Sequence, residues 1–164
     1  MDGVCQQSEG HHRVPLFCCA GTRRPPVTPT EIVESFYADV WNHRDYDQAR
    51  RIIAPDFRFR GSLDDERRGV EGFIDYNRGV HRALGDYTCT IREMIVDGGR
   101  VAAKMYFEGV HLDDFFGVPA TGRTLHWMGA AFFEISDSQI QSLWVLGDID
   151  GLKRQLGLTE AAWI

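Results

Sequence analysis

The sequence predicts an α+β domain, in which helices from the first half of the chain cover a sheet formed by the second half. Apolar residues recur at helical spacing as far as Leu84, whereas from Tyr87 onward they alternate with polar residues. Turn residues separate the alternating segments at regular intervals, which is typical of an antiparallel meander. The change of period therefore places the helices first and most of the sheet afterwards.

The first helix has the clearest start signal in the chain. Thr28-Pro29-Thr30-Glu31 forms a capping box with proline at the first helical position. An apolar stripe then runs from Ile32 to Trp41. The other elements predicted before Tyr87 are a short helix over 46–54, a strand over 56–62 and a third helix over 69–84.

The second half of the chain predicts a four-stranded meander. Asp97-Gly98-Gly99 and Asp137-Ser138 supply tight turns, and a longer loop runs through 117–122. The strands are expected at 87–96, 100–112, 124–135 and 139–148, with a last helical turn at 151–156. One face of such a sheet must be covered, and incomplete cover by the helices would leave a pocket between the two layers.

Composition restricts the partners of this domain. The chain has 164 residues and is 43% hydrophobic, which fits one globular domain with a substantial core. Its net charge of −6 opposes binding to a phosphate backbone, so no nucleic-acid partner is expected. No apolar run approaches the roughly 20 residues of a membrane span, so no membrane partner is expected either.

The chain divides into three parts. Residues 1–27 are interpreted as a loosely packed N-terminal extension, 28–158 as the domain and 159–164 as a C-terminal tail. Three of the four cysteines lie in the extension, so the domain holds only Cys89, which fits a reducing cytoplasm. The cysteines and histidines of the extension lack the paired spacing of zinc sites, and no metal is expected.

Short motifs occur in order along the domain. They are Trp41-Asn42 with Asp45, Ala54-Pro55-Asp56-Phe57, Gly109-Val110-His111, the segment 116–123, Trp144-Val145-Leu146-Gly147-Asp148, and Gln155-Leu156-Gly157. Together they resemble the SnoaL-like polyketide cyclases of the NTF2-like superfamily over residues 28–158. The resemblance implies a cone-shaped barrel, with three N-terminal helices packed on a strongly curved, mainly antiparallel sheet. Glu134 departs from the pattern, since arginine is common there, and this would change the charge near the pocket.

The resemblance also implies a chemistry. Characterised members close polycyclic aromatic polyketides by intramolecular aldol reactions, with an acidic residue as the proton-transfer group and without metal or organic cofactor. Carried onto this chain, that residue is Asp148, four positions after Trp144. The superfamily commonly dimerises through its sheet, so a homodimer that binds a small apolar ligand is expected.

Strand parity gives Asp148 two possible roles. It shares a strand face with Ser142, Trp144 and Leu146, so an inward-pointing carboxylate would lie above a largely apolar wall. There it could remove a proton from a carbon beside a carbonyl and later return it. Asp148 also directly precedes the last helical turn, where aspartate often caps the helix, although Asp150 competes for that position.

Other side chains could complete the site. His111 and His126 lie near the two ends of the loop that contains Pro119 and could reach one pocket mouth, although strand histidines are often structural. Six aromatic residues are expected to line a flat cavity, although many aromatics of the domain should belong to the core. These six are Trp144, Trp41, Phe36, Phe59, Phe73 and Tyr106.

Three functions remain open at this point. The first is polyketide-cyclase-type ring closure in a small apolar carbonyl compound, with Asp148 as general acid and base. The second is epoxide opening, as in limonene-epoxide-hydrolase-like members of the superfamily, which requires a second carboxylate and an arginine beside Asp148. The third is a non-catalytic module that binds a hydrophobic ligand. Nucleotide-binding, zinc-protease and serine-hydrolase motifs do not occur in the sequence.

Overall fold

The computed structural model describes residues 27–63 and 65–158, and its first helix begins at the predicted capping box. Helix α1 (Pro29–Ser35) is capped by Thr28, whose backbone N–H donates to the Glu31 carboxylate at 2.7 Å. The helix continues as a π-helical segment, Phe36–Asn42. The remaining elements are α2 (Tyr46–Ile52), β1 (Ile53–Arg60), β2 (Glu66–Arg68), α3 (Gly69–Ala83), β3 (Leu84–Asp97), β4 (Arg100–His111), β5 (Thr124–Ser136), β6 (Gln139–Gly147) and α4 (Ile149–Gln155).

The six strands form one mixed sheet in the order β2-β1-β6-β5-β4-β3. Strand β1 pairs with β6 in parallel, and the other pairings are antiparallel. Strands β2 and β3 are the two edges, so the sheet is open and is not strongly curled. The expected cone-shaped barrel is corrected to an open sheet within an α+β domain.

A side chain pairs with the backbone of Cys89 on the β3 edge. Asn42 donates its amide N–H to the Cys89 carbonyl at 3.1 Å, and its Oδ1 accepts the Cys89 N–H at 2.8 Å. Both backbone groups point away from β4, since the partner strand lies on the other side. At Cys89 the Asn42 side chain therefore makes the two hydrogen bonds that a neighbouring strand would otherwise make.

The inner face of the sheet packs on the helices through aromatic rings. The ring of Phe36 lies 5.2 Å from that of Phe73 on α3 and 5.7 Å from that of Phe133 on β5, measured between centroids. All three side chains are fully or almost fully buried. This cluster joins two helical segments to the centre of the sheet, and losing one such ring typically costs about 3–5 kcal/mol.

The outer face of the sheet carries exposed apolar side chains. Phe132, Trp144 and Leu146 are 47%, 44% and 52% exposed. No helix of the described residues packs over them, because the helices lie on the inner face. Within 27–63 and 65–158 no helix has the length and apolar character needed to cross a membrane.

Candidate functional site

A small cavity lies between the inner face of the sheet and the helices. Its volume is about 20 Å³, which is room for about one water molecule. The side chains around it are therefore close to filling it. It is lined by Tyr37, Trp41, Phe59, Gly61, Ser62, Tyr76, Tyr87, Phe107, Leu143 and Val145.

The π-helical segment supplies two of the lining rings. Tyr37 and Trp41 are four residues apart and are 3% and 6% exposed. The backbone of the segment is held from two sides: Asn42 bonds to the β3 edge, and His81 Nε2 lies 2.9 Å from the Trp41 carbonyl oxygen. These contacts fix the segment between α3 and β3, so that both rings face the cavity.

The polar side chains that line the cavity carry hydroxyls, apart from the indole of Trp41. Burial raises the pKa values of Tyr37, Tyr76 and Tyr87 well above the usual range of a phenol. Burial also raises the pKa of the nearby Cys89 thiol, which is two residues from Tyr87 on β3. At neutral pH these groups are uncharged, so the tyrosines can donate hydrogen bonds and the thiol is not a reactive thiolate.

Two glycines bring backbone close to these donors. A Cβ atom on Gly61 would lie 2.5 Å from the Tyr76 hydroxyl oxygen. A Cβ on Gly147 would lie 2.9 Å from Ser62 Cβ and 3.1 Å from Trp127 Nε1. Side chains at either position would collide with the cavity wall, which explains why glycine suits both positions.

The structure places Asp148 outside this cavity. Its carboxylate accepts the Gly151 N–H at 2.8 Å and caps α4, and the residue is exposed. It lines a shallow groove on the outer face together with Lys104 and Leu146. The expectation of an inward-pointing Asp148 is wrong, because residues 143 and 145 of β6 face inward instead.

The two predicted histidines lie on opposite faces of the sheet. His111 is fully buried at the inner end of β4, with Nδ1 3.0 Å from the Thr121 hydroxyl. His126 is exposed on the outer face, where its ring stacks 6.0 Å from Tyr106. The expectation that they reach one pocket mouth is wrong. His126 is paired with Glu108, and directly paired residues lie on the same face of the sheet. Glu108 and His111 are three positions apart on β4, so they lie on opposite faces.

Two of the six predicted aromatic residues line the cavity, namely Trp41 and Phe59. Phe36 and Phe73 are fully buried and belong to the core. Trp144 and Tyr106 lie on the outer face, where Arg60 covers the Trp144 ring at 5.4 Å and Tyr106 donates to Glu108 at 2.8 Å. Glu134 lies on this same face, bonded to Ser142 and 3.5 Å from Arg58, so it does not set the charge of the cavity.

Sequence reasoning missed the polar lining of the cavity, Tyr37, Ser62, Tyr76 and Tyr87. A signal existed for Tyr37, which precedes Trp41 by one helical turn on the same stripe. Tyr87 likewise shares its strand parity with the buried Cys89. No sequence pattern indicated Ser62, because it lies in the loop after β1 and meets the cavity through its contact with Gly147.

A larger depression on the outer face has a different character. It has a volume of about 620 Å³ and is lined by arginines from β1 and β2, with Trp144. Arg58 and Arg67 pair with Glu134 and Asp65, and Arg60 donates to the Val145 carbonyl at 2.9 Å. No group of three metal-ligand side chains occurs among residues 27–63 and 65–158. The inner cavity, which is walled by aromatic rings and hydroxyls, is taken as the candidate site, and it must widen to admit any ligand larger than water.

Comparison with known proteins identifies the family. The model of the SnoaL-like polyketide cyclases matches residues 31–156. No curated protein matches the chain.

Solved structures share the fold. A candidate SnoaL-like polyketide cyclase from Jannaschia sp. CCS1 is 20% identical, with a TM-score of 0.73 over 84% of this chain and 98% of that one. TsrD from Streptomyces laurentii is 27% identical, with a TM-score of 0.69 over 79% and 95%. IdmH from Streptomyces antibioticus, described as a candidate polyketide cyclase, is 24% identical, with a TM-score of 0.71 over 80% and 99%.

Proposed function

The chain belongs to the SnoaL-like polyketide cyclase family, and from this premise we propose that it is a cyclase-type enzyme that closes a ring in a small apolar carbonyl compound. The observation that carries the proposal is the inner cavity, which combines aromatic walls with neutral hydroxyl donors. We propose that the reaction needs neither a metal nor an organic cofactor, because the substrate's own carbonyl groups delocalise the charge of its enolate.

Ring closure by an aldol step requires two things of the protein. The carbon nucleophile must be held near the carbonyl carbon it attacks, and the oxygen that gains charge must receive a hydrogen bond. A carbon between two carbonyl groups is acidic enough to lose its proton to water before the cavity closes, and the alkoxide formed by ring closure takes up a proton from water when the cavity reopens. The aromatic walls supply the first requirement, and the buried hydroxyls supply the second.

The acid–base role of Asp148 stays a prediction that the geometry does not favour. The carboxylate already accepts the Gly151 N–H and faces the outer groove. It could act only on a substrate that extends past Gly147 to the end of β6. Replacing Asp148 with Asn separates this role from capping, because asparagine caps a helix about as well but does not titrate.

A substrate larger than water requires the cavity to widen. Ser62 and Gly61 form the border of the cavity on the loop after β1, so movement of this loop would open it. Closure over the bound substrate would then exclude water from the reacting atoms. We therefore expect bound substrate to slow the hydrogen exchange of the backbone amides in this loop.

The proposal is tested by filling the cavity. Val145→Ile adds one methylene to a lining side chain that is 6% exposed, whereas Leu146→Met alters the next residue on the outer face and serves as the control. Both variants and the wild type are incubated with a panel of linear poly-β-carbonyl esters, and cyclised products are identified by mass and NMR. We expect ring closure above the uncatalysed rate for the wild type and Leu146→Met, and at least a tenfold loss for Val145→Ile. Equal rates for Val145→Ile, or no catalysed closure across the panel, would contradict the proposal.

The two other functions receive different support. Epoxide opening needs an arginine and a second carboxylate beside Asp148, and no arginine forms a salt bridge with Asp148 among the described residues. A ligand-binding module without catalysis is the stronger second candidate, because the described lining contains no carboxylate or imidazole. Tight retention of an apolar ligand without any product would favour it.

We propose further that the chain forms a homodimer in the cytoplasm through the outer face of its sheet. The exposed side chains of Phe132, Trp144 and Leu146 form the apolar centre of this face. Charges of both signs surround them, with Asp148 near Lys104 and Asp97 near Arg100. In a two-fold dimer the same surface of each subunit meets its copy. A surface that carries positive and negative charges around an apolar centre can complement itself in this way.

A further inference from the structure

Tyr37 holds a hydrogen-bond donor that the described residues leave without a partner. Its hydroxyl is buried and makes no hydrogen bond within 27–63 and 65–158, while its ring lines the cavity. The ring packs edge-on against Phe36 at 5.3 Å and Phe133 at 5.9 Å. Tight packing of the ring fixes the position of the hydroxyl oxygen.

A second unpaired donor lies behind the cavity wall, on a ring that packs against the lining residues Tyr87 and Phe107. Trp127 is 4% exposed, and its Nε1–H is also unpaired among the described residues. A Cβ on Gly147 would lie 3.1 Å from this Nε1, so glycine at that position leaves room for the indole. The rings of Trp127 and Tyr87 lie 5.9 Å apart, which connects the indole to the tyrosine wall.

An unpaired buried donor is costly, so the Tyr37 hydroxyl needs an acceptor, which a water in the cavity or a substrate oxygen in its place can supply. Leaving a buried hydroxyl unsatisfied typically destabilises the folded protein by about 1–3 kcal/mol. A phenylalanine at position 37 would avoid that cost and keep the ring. Donors of this kind are of most use to an oxygen that becomes negatively charged, because the surrounding apolar walls strengthen the interaction.

We propose that Tyr37 is a catalytic residue whose hydroxyl donates a hydrogen bond to the substrate oxygen that gains negative charge during ring closure, with the Trp127 indole N–H as a second donor. The inference rests on the proposed function, since it takes the cavity as the substrate site. The substrate class it specifies is an enolisable carbonyl compound whose reacting oxygen enters the cavity first. No proton leaves Tyr37 in this step, because the phenol acts as a donor and stays neutral.

The donor is tested with two probes of similar shape. At a pH where 4-nitrophenol is mostly ionised, it presents an anionic oxygen, whereas nitrobenzene lacks that oxygen. Affinities are measured by calorimetry for the wild type, Tyr37→Phe and Tyr106→Phe. Tyr106 is the matched control, because its hydroxyl donates to Glu108 on the outer face.

We expect Tyr37→Phe to bind 4-nitrophenolate about 10- to 100-fold more weakly than the wild type, as for a hydrogen bond to a charged group. Nitrobenzene should bind the wild type and this variant equally, and Tyr106→Phe should bind both probes as the wild type does. Tyr37→Phe should also unfold at a higher temperature, since it loses an unpaired buried hydroxyl. A lower unfolding temperature with unchanged phenolate affinity would show a structural tyrosine and overturn the inference. Failure of the wild type to bind 4-nitrophenolate would overturn it as well.

The result separates this inference from the proposed function. If Tyr37→Phe closes rings as fast as the wild type, the cyclase proposal stands and the donor role fails. If the phenolate affinity depends on Tyr37 but no ring closure is catalysed, the donor site stands and the cyclase proposal fails. Trp127→Phe provides a second measurement, for which we expect a smaller loss of phenolate affinity.

Discussion

At the scale of single residues, Asp148 makes a specific local interaction at the start of α4. Its carboxylate accepts the N–H of Gly151 at 2.8 Å, and a Cβ on Gly151 would lie within 3.0 Å of both carboxylate oxygens. Asp150, the competing cap in the sequence, instead pairs with Arg154 one turn later. The capping role therefore belongs to Asp148, and Gly151 leaves room for it.

Two substitutions at Asp148 separate capping from catalysis. Asp148→Ala should lower the free energy of unfolding by about 1 kcal/mol, because it removes the helix cap. Asp148→Asn should retain most of the stability, since asparagine caps helices about as well, and should also retain ring closure. Urea unfolding and the cyclisation assay measure the two properties. Asp150→Ala is the control, with an expected change within about 0.5 kcal/mol for an exposed ion pair.

A contrary result for Asp148 is easily recognised. If Asp148→Asn keeps the stability of the wild type but loses ring closure, the carboxyl group itself takes part in the reaction. The substrate would then have to reach the outer end of β6, and the cavity would not be the complete site.

Residue roles were only partly predictable from the sequence, and β6 explains why. Ser142, Trp144, Leu146 and Asp148 do share one side, as parity predicts, but that side is the outer one. Leu143 and Val145 on the other side are equally apolar. Successive side chains of a strand point to opposite faces, so the sequence shows which residues share a face. When both faces are apolar, it does not show which of the two faces the core.

At the scale of elements, the contact between α3 and the π-helical segment depends on one histidine. His81 lies in the last turn of α3, and its Nε2–H can donate to the Trp41 carbonyl at 2.9 Å. Its ring also lies 5.6 Å from the ring of Tyr87 on β3. Burial lowers the pKa of His81, and this effect outweighs the hydrogen bond to Trp41, which raises it.

The lowered pKa predicts a loss of stability in mild acid. Near and below the usual histidine pKa of about 6.5, the unfolded chain binds a proton that the folded chain resists, so stability is present above that pH and falls as the pH is lowered through the folded pKa. His81→Gln should reduce this dependence, because glutamine does not titrate. Urea unfolding between about pH 7.5 and 5 measures it.

The control for the pH prediction is His43→Gln. His43 is exposed in the loop between the π-helical segment and α2. Its replacement should leave the acid dependence as in the wild type. An unchanged slope in His81→Gln, or an equal reduction in His43→Gln, would contradict the role assigned to His81.

Elements were more predictable than site residues, with two informative exceptions. The capping box and the Asp97-Gly98-Gly99 turn depend on local chemistry, so α1 and the β3–β4 hairpin follow from the sequence. The π-helical widening at Phe36–Asn42 does not, because its bonds to the β3 edge join residues 47 positions apart. Strand β2 was missed because it has three residues and exists through its pairing with β1.

At the scale of the whole molecule, the two faces of the sheet differ in what covers them. The inner face forms the core and the cavity, whereas the outer face presents Phe132, Trp144 and Leu146 to the surroundings. An apolar face of this kind is costly for a monomer, since burying its area would gain roughly 25 cal/mol for each Å². The fold class predicted the two faces, but the sequence could not reveal which face holds Trp144.

The proposed homodimer is tested by charging the outer face. Leu146→Glu places a carboxylate in the apolar centre of that face, and its burial against a second copy would be strongly unfavourable. Sedimentation should give a dimer for the wild type and a monomer for Leu146→Glu, with the circular dichroism of both unchanged. Val27→Glu, at an exposed apolar residue just before α1, is the control and should stay dimeric. A monomeric wild type would refute the dimer, and a dimeric Leu146→Glu would place its interface elsewhere. Because Val145 and Leu146 point to opposite faces, loss of the dimer without loss of ring closure would further show that the cavity works within one chain.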